Sequence, residues 1–192
     1  MAYEKYTTDA LVLGSFERGE SDKTIVLITR DFGFVYGRAT GVRKESSRMR
    51  YALQDFSRAS VSLVRGKTGW RIAGAHASIS TQGASAKGIT SFVRLARLTR
   101  RLVQGEEINS YLFDSLAEAH AFFMKESEDN AGTVELLCVA RILHSLGYLS
   151  SEALGTALFM GTSYDEMHIS EAAQKQKDLL KAVNEALSES QL

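Results

Sequence analysis

The hydrophobic pattern of this chain changes period once, near residue 80, and that switch commits it to two unlike parts. Before the switch, apolar residues come in short runs rich in β-branched and aromatic side chains. TDALVLGSF, DKTIVLITR, GFVYGRAT, ASVSLVR and WRIAGAHA are five such runs, parted by Gly, Ser and Asp. Asp31-Phe32-Gly33 closes one gap tightly and Gly66-Lys67-Thr68-Gly69 another, whereas the gap over residues 41–57 is long. Five short strands with an excursion between the third and fourth predict a small closed barrel of OB type, although an SH3-like barrel has a similar periodicity. After the linker ISTQGASAKG the spacing becomes helical. Phe92, Leu95, Ala96, Leu102 and Val103 form one stripe, Ile108, Leu112, Leu116 and Phe123 a second, and Val134, Leu137, Cys138 and Ile142 a third that Gly147 ends. SEALGTALF reads as a short fourth helix, and Leu179, Leu180, Val183 and Leu187 as the stripe of a last one. The expected fold class is therefore α+β: a five-stranded OB-type barrel over residues 1–80 and an all-α helical bundle over residues 81–192.

A chain of 192 residues can bury one good core or two small ones. The single cysteine, Cys138, excludes an internal disulfide and a cysteine-based zinc site within one chain, which fits a reducing cytoplasm. The first twenty residues carry acids early and only the short apolar run ALVL, so neither a signal peptide nor a membrane span is expected. Formal charge is zero overall but unevenly spread. Residues 1–80 hold 13 Lys and Arg against 8 Asp and Glu, whereas residues 126–192 hold 4 against 11. The first part suits a polyanion and the last repels one.

Catalytic and cofactor motifs are missing. Gly66-Lys67-Thr68 resembles the end of a phosphate-binding loop, but Val61 stands where that motif needs glycine, and strand-like flanks make it a hairpin turn. The histidines His76, His120, His144 and His168 are scattered, and Asp165 and Glu166 beside His168 read as surface solvation rather than a metal site. No nucleophile, base and oxyanion donor assemble, so no enzyme and no cofactor is expected.

The cations are where the sequence carries chemistry. Alternation along GFVYGRAT puts Phe34, Tyr36, Arg38 and Thr40 on one face and Val35, Gly37 and Ala39 on the barrel side. Aromatics interleaved with a cation suit a single nucleic-acid strand, because rings stack on bases and Arg pairs with phosphates. The competing reading packs Phe34 or Tyr36 against the helical domain. The segment that follows, GVRKESSRMRYALQDFS, places Arg43, Lys44, Arg48 and Arg50 within eight residues, either as a phosphate track or as a solvated loop. Arg65, Lys67 and Arg71 add cations near Trp70, which either stacks on a base or caps the core. Arg94, Arg97 and Arg101 share a helix face, where they extend the track or pair with acids of the bundle. The candidate DNA-binding residues are Phe34, Tyr36, Arg38, Arg43, Lys44, Arg48, Arg50 and Lys67.

Six ordered stretches resemble the RecO family of recombination mediators: Thr8–Leu13; Gly19-Glu20-Ser21-Asp22-Lys23; Thr29–Gly33; Gly41-Val42-Arg43-Lys44 with Ser47-Arg48; Ala52–Ser57, where the family usually has proline at the place of Asp55; and Leu143–Leu149. The likeness is dense over residues 8–80 and thin afterwards. It implies an N-terminal OB domain and a C-terminal helical domain. It further implies binding to single- and double-stranded DNA, annealing of complementary strands, and assistance in loading RecA onto DNA coated by single-strand-binding protein. RecR and that coating protein are the implied direct partners and RecA an indirect one, in a cytoplasmic, nucleoid-associated setting. Many members carry a four-cysteine zinc site after the Leu-Gly-Tyr-Leu segment. Ser150 and Ser151 stand there in this chain and no cysteine follows Cys138, so zinc is not carried over. The competing reading is an OB-fold protein-interaction adaptor with incidental DNA affinity.

Overall fold

The computed structural model describes residues 4–79, 81, 84–125, 129–152, 154 and 157–189. It divides into two compact units, Met1–Gln82 with Gln104–Ile108, and Gly83–Val103 with Asn109–Leu192. In the first, β1 (Lys5–Arg18), β2 (Asp22–Thr29), β3 (Gly33–Ala39), β4 (Arg58–Gly66) and β5 (Gly69–Ile79) close into a barrel in the order β1-β2-β3-β5-β4. All pairings are antiparallel except β3 with β5, where Gly37 lies beside Trp70 and Arg38 beside Arg71. This is the OB arrangement, and it separates the fold from the SH3-like alternative.

Closure rests on β1, which serves two neighbours. Lys5–Leu11 pairs with β4 and Ala10–Arg18 with β2. The register shifts between Val12 and Gly14, and Gly14 takes a φ of 142° that favours glycine, so the strand bends there. Residues of inward parity fill the barrel: Val12, Ile25, Leu27, Val35, Leu63 and Ile72 are all buried. Gly37 belongs to this layer because a Cβ there would stand 2.8 Å from the Ile72 side chain.

Residues 40–57 form turns without a regular element, yet they are not a free loop. Val42, Ala52 and Leu53 enter the barrel core and Met49 packs on it. The segment is tied back at its end, where the Phe56 amide donates to the Val12 carbonyl and the Val12 amide to the Ser57 carbonyl, both at 2.9 Å. On the outside, β2 is buried continuously from Ile25 to Thr29. The open part of that face is therefore the end where Phe16, Thr24, Arg38 and Arg71 lie in one cross-strand row.

The second unit holds α1 (Ala86–Leu102), α2 (Ser110–Phe123), α3 (Ala131–Ser145), α4 (Glu166–Gln174) and α5 (Gln176–Glu189), with one 3-10 turn at Ala157–Phe159. The expected fourth helix over 151–159 falls partly on residues 153, 155 and 156, outside the described residues; its last three residues form that turn. Ile108 does not belong to the second helical stripe. The Asn109 side chain accepts from the Leu112 amide at 2.9 Å and starts the helix after it, leaving Ile108 61% exposed. The last stripe loses Leu180 to solvent, whereas Leu179 and Val183 are buried. Arg94 forks onto Glu135 of α3 at 2.5 and 2.6 Å, the pairing alternative for that residue. Asp165 caps α4, accepting from the His168 amide at 3.0 Å and bonding the ring Nδ1 at 2.7 Å, so this trio is a helix start rather than a metal site. Cys138 is buried in α3, where burial pushes its pKa up to about 12.

Arg141 staples the segment after α3 back onto that helix. It is fully buried, donates from Nε to the Leu158 carbonyl at 2.9 Å and from Nη1 to the Ser163 carbonyl at 3.0 Å, and lies 4.7 Å from the Tyr164 ring centroid.

Two stability effects follow. Arg141→Leu leaves the buried Leu158 carbonyl and the half-buried Ser163 carbonyl without their charged donor and should cost about 2–3 kcal/mol; far-UV circular dichroism during urea denaturation measures it, and an unshifted midpoint would show that the guanidinium holds nothing. Gly33 has φ +62°, and a Cβ there would collide with the Glu107 backbone. Gly33→Ala should therefore lose at least ~1–2 kcal/mol, read from the denaturation of the barrel by Trp70 fluorescence.

Candidate nucleic-acid interface

The open end of the barrel's outer face is a groove of about 490 Å³. Tyr36 and Arg38 of β3 line it, with Thr24 of β2, Arg18 at the end of β1, and Lys67, Trp70 and Arg71 of the β4–β5 hairpin. Its lining holds four cations and no carboxylate. Tyr36 is 56% exposed, and its ring meets Phe34 edge-on at 5.4 Å between centroids. Among the described residues no ion pair engages Arg18, Lys67 or Arg71. One planar ring amid four cations suits a base with its flanking phosphates.

Alternation along β3 runs as the sequence predicts, with Tyr36 and Arg38 exposed and Val35, Gly37 and Ala39 buried. Phe34 requires a correction. It is only 5% exposed, and its amide donates to the Gly105 carbonyl at 3.3 Å, where residues 104–108 return to the barrel. It has no face to offer a base and instead braces Tyr36. Trp70 takes the core alternative, packed with Tyr6 and Phe32 and covered by the Arg65 guanidinium at 4.7 Å. Arg65 in turn pairs with Glu106.

Arg38 is held within the protein. Its Nη2 and Nε donate to Asp22 Oδ2 at 2.7 and 3.2 Å, while the Gly41 amide donates to Oδ1 at 2.8 Å. These bonds, Gly41 first and then Arg38, hold the Asp22 carboxyl below the usual carboxylate range. Asp22 thereby joins the start of β2, the end of β3 and the start of the 40–57 segment.

The remaining cations divide. Arg43 and Arg50 line a second cavity, of about 390 Å³, at the mouth of the barrel. Arg43 donates to the Gly19 carbonyl at 3.2 Å and pairs with Glu17 at 3.2 Å. Lys44 and Arg48 are exposed and line neither cavity. Of the eight sequence candidates, the structure thus brings Tyr36, Arg38 and Lys67 into one groove, and Arg43 and Arg50 into another place. Arg18 and Arg71 complete the groove without having been among those eight. Arg71 was reachable from the fold alone, because an OB barrel sets β5 beside β3 and alternation turns Arg71 outward next to Arg38. Arg18, the last residue of β1, follows from the same alternation, which turns it to the face of Phe16.

Residues 1–75 match the family model described as "Recombination protein O N terminal". Over 67 residues, 34% of this chain, the sequence is 45% identical to the DNA repair protein RecO of Myxococcus xanthus, covering 28% of that protein. It is 44% identical over 63 residues to the DNA repair protein RecO of Desulfitobacterium hafniense, covering 23% of it, and 41% identical over 63 residues to that of Bifidobacterium animalis subsp. lactis, covering 26%. The matched part therefore spans about a quarter of the relatives' length, and it is the part that forms the barrel.

Because Asp22 has a lowered folded pKa, its contribution to stability is complete above the unfolded carboxylate value of about 4 and is lost as the pH falls through the lowered one. Asp22→Asn should therefore lie furthest below the native protein at neutral pH and converge with it in acid. Urea midpoints followed by Trp70 fluorescence from neutral to acid pH measure the gap; a gap of constant size would remove the carboxylate from this role.

Proposed function

We propose, because the N-terminal barrel of this chain belongs to the RecO family, that the protein is a DNA-binding recombination mediator acting in DNA repair. The observation that carries this reading is the groove in which the exposed Tyr36 ring stands among Arg18, Arg38, Lys67 and Arg71 with no carboxylate in its lining. Cations neutralise phosphates and the ring accepts any base, which gives binding tolerant of sequence. Annealing of complementary strands needs that tolerance, together with charge neutralised on both strands, and needs no bond made or broken. Help in loading RecA onto single strands coated by single-strand-binding protein, with RecR as a partner, follows from the family kinship. No helix among the described residues is long and apolar enough to cross a membrane, and a place in the cytoplasm at the nucleoid suits the reading. Arg43, Lys44, Arg48 and Arg50 would add phosphate contacts beyond the groove.

Fluorescence anisotropy of a labelled single strand across a salt series tests the groove. Arg18→Ala, Lys67→Ala and Arg71→Ala combined should weaken binding more than tenfold and flatten the log–log salt slope by about 2, at ~0.7 per lost phosphate contact. Tyr36→Leu should weaken binding by the ~1–3 kcal/mol of one stacked base while leaving the slope unchanged. Native affinity and slope in both variants would sink the proposal.

A further inference from the structure

The cations of the barrel fall on two sides of a single turn, and consecutive residues separate them. Arg18 and Thr24 line the outer groove, while their neighbours Glu17 and Lys23 line the cavity at the barrel mouth. Strand alternation sends these neighbours to opposite sides of the sheet. The mouth cavity gathers Lys23, Arg43 and Arg50 over Val42 and Leu53, and those two apolar residues belong to the barrel core, so its floor is fixed. Lys23 Nζ is held by Ser15 Oγ at 3.2 Å. Arg50 has no ion pair among the described residues. The only carboxylate in the lining is Glu17, 68% exposed and paired with Arg43 at 3.2 Å. Exposed pairs of this kind contribute about 0–1 kcal/mol, so a phosphate can take the place of Glu17 at small cost.

We infer that the barrel has two separate phosphate-binding stations, the outer groove and the mouth cavity, and that each holds a different nucleic-acid strand. The inference rests on the nucleic-acid reading of the groove. What keeps the stations apart is the β1–β2 turn over residues 19–21, which carries Glu20 and leads into Asp22. A single backbone passing from one station to the other would cross these carboxylates, whereas two strands approach from either side without doing so. Two strands on either side of one short turn is the juxtaposition that annealing needs.

Native mass spectrometry with hexathymidylate counts the stations. The unaltered chain should take two oligonucleotides. The groove variant (Arg18→Ala, Lys67→Ala, Arg71→Ala) and the mouth variant (Lys23→Ala, Arg43→Ala, Arg50→Ala) should take one each, and their combination none. Arg50→Glu alone, at a residue that anchors nothing else, should repeat the mouth result if the triple variant unfolds. Both single-station variants should still bind a long strand but anneal complementary strands at least tenfold more slowly. One oligonucleotide on the unaltered chain, lost in both variants, would mean one continuous track and overturn the inference while keeping the groove. Two oligonucleotides on Arg50→Glu, or a phosphate-free acidic peptide held at the mouth where hexathymidylate is not, would also overturn it. No binding by the unaltered chain would instead remove the nucleic-acid reading itself.

Discussion

The bend in β1 between Val12 and Gly14 is the constraint on which the barrel depends. A flat strand hydrogen-bonds two neighbours along its whole length and leaves a sheet open. Here β1 gives its first half to β4 and its second half to β2, and only a turn in direction between them lets five strands close. The extra residue at the bulge, Leu13, is accommodated because Gly14 reaches a φ of 142° without steric cost. The bulge also supplies the anchor for the 40–57 segment, since the amide and carbonyl of Val12 hold Phe56 and Ser57. Closure, the bulge and the seating of the basic segment are thus one feature of the backbone.

Once closed, the barrel sets β3 beside β5, a neighbour relation that sequence order does not suggest. It brings Arg71 next to Arg38 and Trp70 next to Gly37. Gly37 has no side chain, so Ile72 fills the space inside it and β5 can lie close to β3. The same approach that packs the core therefore builds the wall of the outer groove. The core and the groove share the strand pair, one on each of its faces.

This division explains which parts were legible in the sequence. The strands, the barrel and the outward set on β3 follow from period-two alternation, which sterics fix at short range. The fate of Phe34 did not follow, because the backbone that returns to its strand and accepts from its amide, residues 104–108, lies far along the chain. The 40–57 segment reads as cations and serines. Its actual anchor is the minority of apolar residues, Val42, Ala52 and Leu53, whose irregular spacing belongs to no helix or strand. Beyond the strands, Ile108 and Leu180 fit the helical period and still face water. One precedes the Asn109 cap, and the other lies on a helix that buries only a narrow stripe, Leu179, Val183 and Ala186. A periodic pattern identifies a helix; which of its apolar residues find a partner is decided by tertiary packing.

A carboxylate beside a surface suited to phosphates asks for a reason, and the geometry of Arg38 supplies it. Asp22 takes donors from only one edge of the guanidinium, through Nε and Nη2. The opposite edge keeps its donors, and the side chain remains 49% exposed. Arg38 thus loses attraction for an anion in exchange for a fixed orientation, whereas Arg18, Lys67 and Arg71 keep their full charge and their freedom. Ordering a long side chain on binding costs about 0.5–1.5 kcal/mol, and Arg38 has met that cost before any ligand arrives. Its place beside Tyr36 on β3 then fixes the guanidinium relative to the ring, while Arg18, Lys67 and Arg71 around the groove carry charge that salt can screen.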